Sequence, residues 1–277
     1  MTDIFDDLKA EYEQLDAVLA GLTPAEWSQP SAAEGWTVSD VVLHLAQTEE
    51  LAAASLAGED VTIRRGPTVD GGPGREPGGP SGRASGRGES GRGESGGGES
   101  GRGVDAAADA MVAAQRDIAP ADLLARWRGA AFATPAALRA QPKGTRLSWV
   151  AIPLSPATLA TTRLAEHWAH AYDITAPLGI PYPDTARLRH IAWLGHRTLP
   201  YAFDVAGVEG GPVYCELTSP DGELWRFGDP AAASTVTGPA ADFCRVGAHR
   251  LAPADSMLKA TGPYGAKALA VLRNYAL

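Results

Sequence analysis

The stretch from residue 66 to residue 103 places the strongest limit on how this chain folds, because it cannot contribute to a hydrophobic core. It holds half of the chain's 32 glycines, and serine, arginine and glutamate make up much of the rest. Such a composition offers almost no apolar surface to offset the entropy lost on ordering. The sequence therefore predicts a disordered Gly/Ser/Arg-rich insertion over 66–103, with the core built from the segments on either side.

The flanking segments carry helical patterns. From Phe5 to Leu22 apolar residues recur at alternating steps of three and four, as on the buried face of an amphipathic helix. Thr23, Thr37 and Ser155 stand where N-caps are expected. Four longer helices are predicted, at 3–21, 38–57, 104–140 with a break at Ala119-Pro120, and 156–174, and a further helix at 185–199. This inventory is typical of a four-helix bundle.

After residue 200 the pattern changes to that of a small α+β domain. Residues 213–217 alternate as in a strand, Asp221-Gly222 supplies a turn, and residues 224–227 form the answering strand of a hairpin. A strand at 234–237, a helix at 239–250, a strand at 256–260 and a helix from 264 follow. The expected fold is thus all-α over residues 1–200 and α+β over 201–277.

Charge and cysteine content exclude several classes of protein. The net charge of −9 is spread along the chain, and the insertion has no aromatic residue to stack on bases, which argues against a nucleic-acid partner. No apolar stretch approaches the roughly 20 residues of a membrane span, and the acidic start is unlike a signal peptide, so we expect a cytoplasmic protein without a membrane partner. Cys215 and Cys244 lack CxxC spacing and are interpreted as buried packing thiols.

A carboxylate and two imidazoles form the main candidate for a functional site. Glu166 and His170 stand four residues apart on a predicted helix, where side chains share one face and can hold one metal ion. Alone, such a pair is more often a solvated helix surface. His44 lies on the flank of the apolar stripe of another predicted helix, close to the core. Metal sites in helical bundles are built from side chains that facing helices direct inward, so the three residues together favour a metal site.

Two charged neighbours on the same predicted helix are candidates for supporting roles. Asp173, three residues after His170, could orient an imidazole, and Arg163 could receive a substrate carboxylate. Ordinary surface charges are the favoured interpretation of both. His167 points about 100° away from Glu166 on a helical projection and is not predicted to be a ligand. The catalytic residues are not predicted.

Two segments of the sequence resemble a known family. Trp36-Thr-Val-Ser-Asp-Val-Val-Leu-His44 and Arg163-Leu-Ala-Glu-His-Trp-Ala-His170-Ala-Tyr-Asp173 are similar to the histidine and ExxxH motifs of DinB-like metal-binding proteins, in particular the mycothiol-dependent maleylpyruvate isomerase group. The resemblance implies a DinB-like four-helix bundle in which His44, Glu166 and His170 bind a divalent metal, with zinc as the ion expected from the family pattern. The segment from Val236 onward resembles the small sterol-carrier-like domain that follows such bundles.

The resemblance also implies an activity. A low-molecular-weight thiol such as mycothiol would serve as cofactor in isomerase or S-transferase chemistry on a small-molecule substrate. One alternative is a non-catalytic metal-binding or small-molecule-binding module of the same fold. Another is a non-haem iron oxygenase, because two histidines and a carboxylate also describe its facial triad; it ranks lower because no cosubstrate motif is visible.

Overall fold

The computed structural model describes residues 3–62, 97–150 and 152–274. Most of the predicted insertion, residues 66–96, lies outside the described residues. Residues 97–103 begin a helix, Gly97–Ala113, whereas the sequence predicts its start at 104. The later turns of this helix are docked, with Val112 fully buried, and a helix that is already nucleated extends readily into residues of low helix propensity.

The N-terminal part of the described chain is helical. Its helices are α1 (Ile4–Leu19), α2 (Pro24–Trp27), α3 (Val38–Leu56), α4 (Gly97–Ala113), α5 (Pro120–Ala131), α6 (Thr134–Arg139), α7 (Pro156–Leu178) and α8 (Leu188–Ala206). The predicted N-caps are confirmed, because Thr23, Thr37 and Ser155 each accept a hydrogen bond from a backbone N–H of the first turn. The predicted broken helix at 104–140 is three separate helices. Prolines in the first turns of α5 and α6 mark two of their starts.

The helical core lies between α1, α3, α5 and α7, which pack against one another. The stripe predicted on α1 is buried at its centre from Leu8 to Leu19, while Phe5 and Leu22 are half-buried at its ends. The apolar face predicted on α3 is also buried, from Val38 to Ala52. The positions of α3 and α7 matter most, because these two helices carry the candidate ligands.

A four-stranded sheet with two flanking helices forms the C-terminal part. The strands are β1 (Val213–Thr218), β2 (Leu224–Phe227), β3 (Ser234–Pro239) and β4 (Lys259–Thr261), in the order β2-β1-β3-β4. The predicted hairpin is confirmed, with Cys215 opposite Phe227 and Leu217 opposite Trp225. β3 pairs parallel to β1 and antiparallel to β4. The helices are α9 (Ala240–Gly247) and α10 (Gly262–Val271), with a short 3-10 turn at Pro253–Asp255.

The helix α8 joins the two parts of the molecule. The predicted domain boundary after residue 200 falls inside this helix, which continues to Ala206 and packs against α7 on one side and against α9 and α10 on the other. The observed architecture is therefore a helix-rich N-terminal part connected through α8 to a small mixed sheet, as expected at this level. Among the described residues no helix is both long and apolar enough to cross a bilayer.

Candidate metal centre

The three predicted ligands converge in the structure. His44 Nε2 on α3 lies 2.9 Å from Glu166 Oε1 on α7, and His170 Nε2 lies 3.5 Å from the same oxygen. One potential ligand atom from each residue lies within 4.8 Å of the other two. The side chains of His44, Glu166 and His170 are 12%, 27% and 13% exposed. The cluster is therefore sheltered by the fold but still open to solvent on the side of the carboxylate.

Local structure explains why the three atoms meet. Glu166 and His170 share one face of α7 through their spacing of four residues. α3 packs against α7, and its first turn is fixed by a reciprocal cap between Thr37 and Asp40. The cap sets where α3 begins and thereby places His44, seven residues later, opposite Glu166.

Asp173 and Arg250 hold one of the imidazoles. The Nδ1–H group of His170 donates to Asp173 Oδ2 at 2.9 Å, and the guanidinium of Arg250 donates to both oxygens of Asp173 at 2.8 and 2.6 Å. Asp173 is fully buried, so its interpretation as a surface charge is wrong. With Nδ1 engaged, Nε2 of His170 is the nitrogen that faces Glu166. Arg250 comes from beyond α9, in the C-terminal part, and no local pattern in the sequence links it to Asp173.

Arg163 is also buried rather than on the surface, which corrects the second favoured interpretation. Its Nε donates to Glu49 at 2.7 Å, its Nη2 donates to Thr48 at 2.6 Å, and its guanidinium lies over the ring of Trp149. Glu49 is completely buried and also accepts hydrogen bonds from Tyr12 and Thr134. The pair lies one turn from His44 on α3 and one turn from Glu166 on α7. Glu49 is missing from the sequence prediction, although a glutamate between apolar positions of α3 was a readable signal.

The remaining histidines and the cysteines do not join the cluster. His167 is fully buried, donates from Nδ1 to the carbonyl of Arg163 and accepts from the indole of Trp127, so it is not among the converging residues, as predicted. His190 contacts Asp7, and His196 contacts the carbonyl of Val213. Both cysteines are buried, which confirms their assignment as packing thiols, and burial raises the pKa of Cys215 to about 12.

The charges of the cluster are set by burial and by its own hydrogen bonds. Burial opposes ionisation of Glu166, but hydrogen bonds from His170 and His44 outweigh it and hold the pKa of Glu166 well below its usual range. Burial lowers the pKa of His44. For His170, burial opposes the charged form, but Asp173 and Glu166 outweigh it and raise its pKa to about 9. The cluster therefore supplies an ionised carboxylate and one neutral imidazole before any ligand arrives.

The donor set fits a divalent metal ion. Two imidazole nitrogens and a carboxylate oxygen are ligands that Zn²⁺ accepts, and three protein ligands leave a fourth position for a small molecule. Ligands at about 2.1 Å in a tetrahedron are separated by about 3.4 Å, close to the 3.5 Å between His170 Nε2 and Glu166 Oε1. The 2.9 Å between His44 Nε2 and Glu166 Oε1 is a hydrogen-bond distance, and these two atoms would have to separate by about 0.5 Å to bind one ion. The buried carboxylate on His170 Nδ1 is the usual partner of a metal-binding histidine. Fold and cluster thus define a class of protein, helical with an appended sheet, that carries a candidate metal centre between two helices.

Comparisons with known proteins agree with this description. The family model for the mycothiol maleylpyruvate isomerase N-terminal domain matches residues 8–175. Two proteins of Mycobacterium tuberculosis, uncharacterized protein Rv0036c of strain H37Rv and uncharacterized protein MT0041 of strain CDC 1551, are each 34% identical to the chain over 272 residues, which is 98% of this chain and 94% of theirs. The chain therefore belongs to the mycothiol maleylpyruvate isomerase N-terminal domain family.

Solved structures show the same fold. The crystal structure of the mycothiol-dependent maleylpyruvate isomerase is similar with a TM-score of 0.55 at 16% identity, covering 94% of this chain and 96% of that one. The structure of its H52A mutant gives a TM-score of 0.54 at 15% identity, with 90% and 93% covered. The likeness therefore extends through the helical part and the sheet together.

Proposed function

We propose that this protein binds a divalent metal ion, zinc in the first instance, through His44, Glu166 and His170, and uses a low-molecular-weight thiol of the mycothiol type in isomerase or S-transferase chemistry on a small-molecule substrate. The convergence of the three side chains from two helices, with one position left for a further ligand, carries the proposal. Membership of the family supplies the thiol and the reaction class. When bound, the metal would favour the deprotonated, nucleophilic form of a thiol near neutral pH.

The residues around the ligands have separate tasks in this proposal. Asp173 holds His170 by its Nδ1–H group and directs Nε2 towards the site, where a metal would displace the Nε2 proton, and Arg250 fixes Asp173 by two parallel hydrogen bonds. Arg163 supports the site from behind rather than from the open side, since Glu49 and Thr48 already accept from its Nε and Nη2. A role of Arg163 in binding a substrate carboxylate would require it to leave these partners.

The finer features of the fold belong to the same proposal. We infer a DinB-like four-helix bundle formed by the longer helices of residues 1–200 and a sterol-carrier-like unit formed by residues 201–277, with the bundle alone supplying the three metal ligands. We also infer a cytoplasmic location, with a thiol and a small molecule as the partners. The acidic composition supports these partners over nucleic acid.

Metal analysis tests the ligand set directly. The purified protein should take up one equivalent of Zn²⁺, and His44→Ala and His170→Ala should each lose most of this uptake. His190→Gln serves as the matched control, because His190 is a half-buried histidine that contacts Asp7 and not the cluster. If both alanine variants still bound one equivalent of zinc, the metal would bind elsewhere and the proposed ligand set would be wrong.

A non-catalytic binding module is the second candidate. It is kept because the identity to the solved isomerases is 16% and 15%, at which the likeness shows the fold alone. Calorimetry with the zinc-loaded protein and mycothiol separates the two. Thiol binding that depends on the metal favours the enzyme, whereas a loaded protein that binds no thiol favours the module.

A further inference from the structure

A tryptophan lies directly beside the candidate ligands. The ring of Trp36 is centred 5.1 Å from the ring of His44 and 6.3 Å from the ring of His170, and it is nearly parallel to the latter, at 18°. Trp36 is half-buried, so part of its indole remains available to a bound molecule. Among the described aromatic residues, Trp36 is in ring contact with both of the imidazoles proposed as ligands.

The loop that carries Trp36 holds the ring in place. The carbonyl of Trp36 accepts hydrogen bonds from both the N–H and the hydroxyl of Ser31, each at 2.9 Å, and the N–H of Ala32 donates to the carbonyl of Asp173 on α7 at 2.8 Å. The loop is thus tied to the same turn of α7 that holds His170. A ring on a tied loop is a wall of the site rather than a mobile surface group.

The edge of the indole is fixed by a second element. Trp36 Nε1–H donates to Asp109 Oδ1 on α4 at 2.8 Å. Just beyond the end of α4, Arg116 binds the carbonyl of Gly35 in this loop and the carboxylate of Asp40 in the first turn of α3. Asp109 therefore sets the orientation of the ring without itself contacting the candidate ligands.

From this geometry we propose that Trp36 is a specificity-determining residue that favours ligands with a flat, unsaturated group close to the metal-binding atom, one carbon away from it. The inference rests on the proposed metal site. An indole face packs well against a flat π-system and less well against a puckered ring of similar size, and aromatic pairs gain from offset stacking beyond the area they bury. Both imidazoles adjoin Trp36, so a ligand bound beside them would have this ring within reach. Asp109 acts as a positioning residue through the indole N–H.

Two thiols of similar size test the inference on the cobalt-loaded protein, with each affinity corrected for the thiolate fraction at the pH of the titration. Benzyl mercaptan carries a flat ring and cyclohexylmethanethiol carries a puckered one, and each is titrated while the sulfur-to-cobalt absorption in the near ultraviolet is recorded. The wild-type protein should bind benzyl mercaptan about 2- to 10-fold more tightly. Trp36→Ala should abolish this preference, and Trp36→Phe should keep most of it.

Further variants distinguish a contact with the ligand from a structural role. Asp109→Ala should reduce the preference, and Asp109→Asn should retain it because its side-chain oxygen can still accept the indole N–H. Trp193→Ala, which removes a tryptophan on α8 that is 42% exposed, is the control and should bind as wild type. Each variant is first checked for its melting temperature and cobalt content.

The results distinguish a failure of the proposed metal site from a failure of the proposed role of Trp36. A wild-type protein that takes up no cobalt overturns the proposed metal site. A loaded protein that binds both thiols equally, or a Trp36→Ala variant that weakens both by the same factor, leaves the metal site standing and overturns the role of Trp36.

Discussion

Arg250 and Asp173 lie 77 positions apart in the chain, yet their contact bears directly on a candidate ligand. Arg250 is half-buried and reaches α7 from the turn after α9, where its two hydrogen bonds orient the carboxylate that holds His170. Partners of this kind keep a metal-binding imidazole in the correct tautomer and orientation. Through this contact the C-terminal part of the molecule helps to orient the candidate ligand His170.

Replacing Arg250 tests whether it contributes to metal binding. Arg250→Gln should weaken zinc binding by about 10- to 100-fold, because Asp173 loses its cation while the three ligands remain. Competition with a chromophoric chelator measures the change. Arg245→Gln is the matched control, since Arg245 pairs with Asp184 and not with Asp173, and it should leave zinc affinity as in the wild type.

The buried pair of Glu49 and Arg163 is expected to matter for stability. Glu49→Gln leaves the guanidinium of Arg163 buried without a counter-charge, which should reduce the free energy of unfolding by about 3–5 kcal/mol. Urea unfolding of the metal-free protein measures it. The adjacent Glu50 pairs with Arg126 near the surface, so Glu50→Gln should cost about 1 kcal/mol or less. Equal effects of the two substitutions would contradict the assigned burial.

At the residue scale the sequence predicted three candidate ligands that the structure brings together, but not what surrounds them. His44, Glu166 and His170 could be found because helical spacing and an apolar stripe are local patterns. The burial of Arg163 and Asp173 could not, because each is compensated by a partner from a distant segment, Glu49 or Arg250. A charged residue looks alike in sequence whether water or a buried counter-ion solvates it.

At the scale of helices, two glycines in similar positions should respond in opposite ways to the same change. Gly129 lies inside α5 with open space where a β-carbon would be, so Gly129→Ala should stabilise the protein by about 1 kcal/mol through helix propensity. Gly195 lies inside α8, where a β-carbon would come within 2.6 Å of the buried Asn274 side chain and 3.2 Å of Phe243. Gly195→Ala should therefore destabilise, by about 1–3 kcal/mol.

Thermal or urea unfolding of the two glycine variants checks the pair. Opposite signs confirm that α8 packs tightly against the C-terminal segment. A stabilising Gly195→Ala would mean that Asn274 moves aside without cost.

Helix ends were predictable wherever a side chain marks them, as at Thr37 and Ser155. It was harder to predict that α4 begins early and that residues 104–140 divide into three helices. α4 begins among glycines and serines that have no helical pattern of their own, and its position depends on tertiary contacts such as that of Gln47 with the carbonyl of Met111.

For the whole molecule, metal binding should appear as added stability. A ligand present at 100 times its dissociation constant stabilises the folded state by about 2.7 kcal/mol, which for a chain of this size corresponds to a rise in melting temperature of about 5–10 °C. Calorimetry of the metal-free and zinc-loaded protein measures it. Removing zinc with a chelator should reverse the rise, and His44→Ala should show none.

The overall architecture was predictable in outline, as helices followed by a small mixed unit. The order of the strands was not, because β3 pairs parallel with β1 and thereby separates it from β4. Neither was the continuity of α8, which carries the chain through the expected boundary at residue 200. Strand order and helix continuity both depend on packing between distant segments, for which a single sequence has no local signal.

The contact between Asp173 and Arg250 also has a consequence for the order in which the site is completed. A chain is made from its N-terminus, so His44, Glu166 and His170 all exist before Arg250 has been added. Until then Asp173 has no guanidinium to hold it, and the imidazole of His170 is free to turn. We therefore expect stable metal loading to follow the end of synthesis, when the last part of the chain has folded against α7.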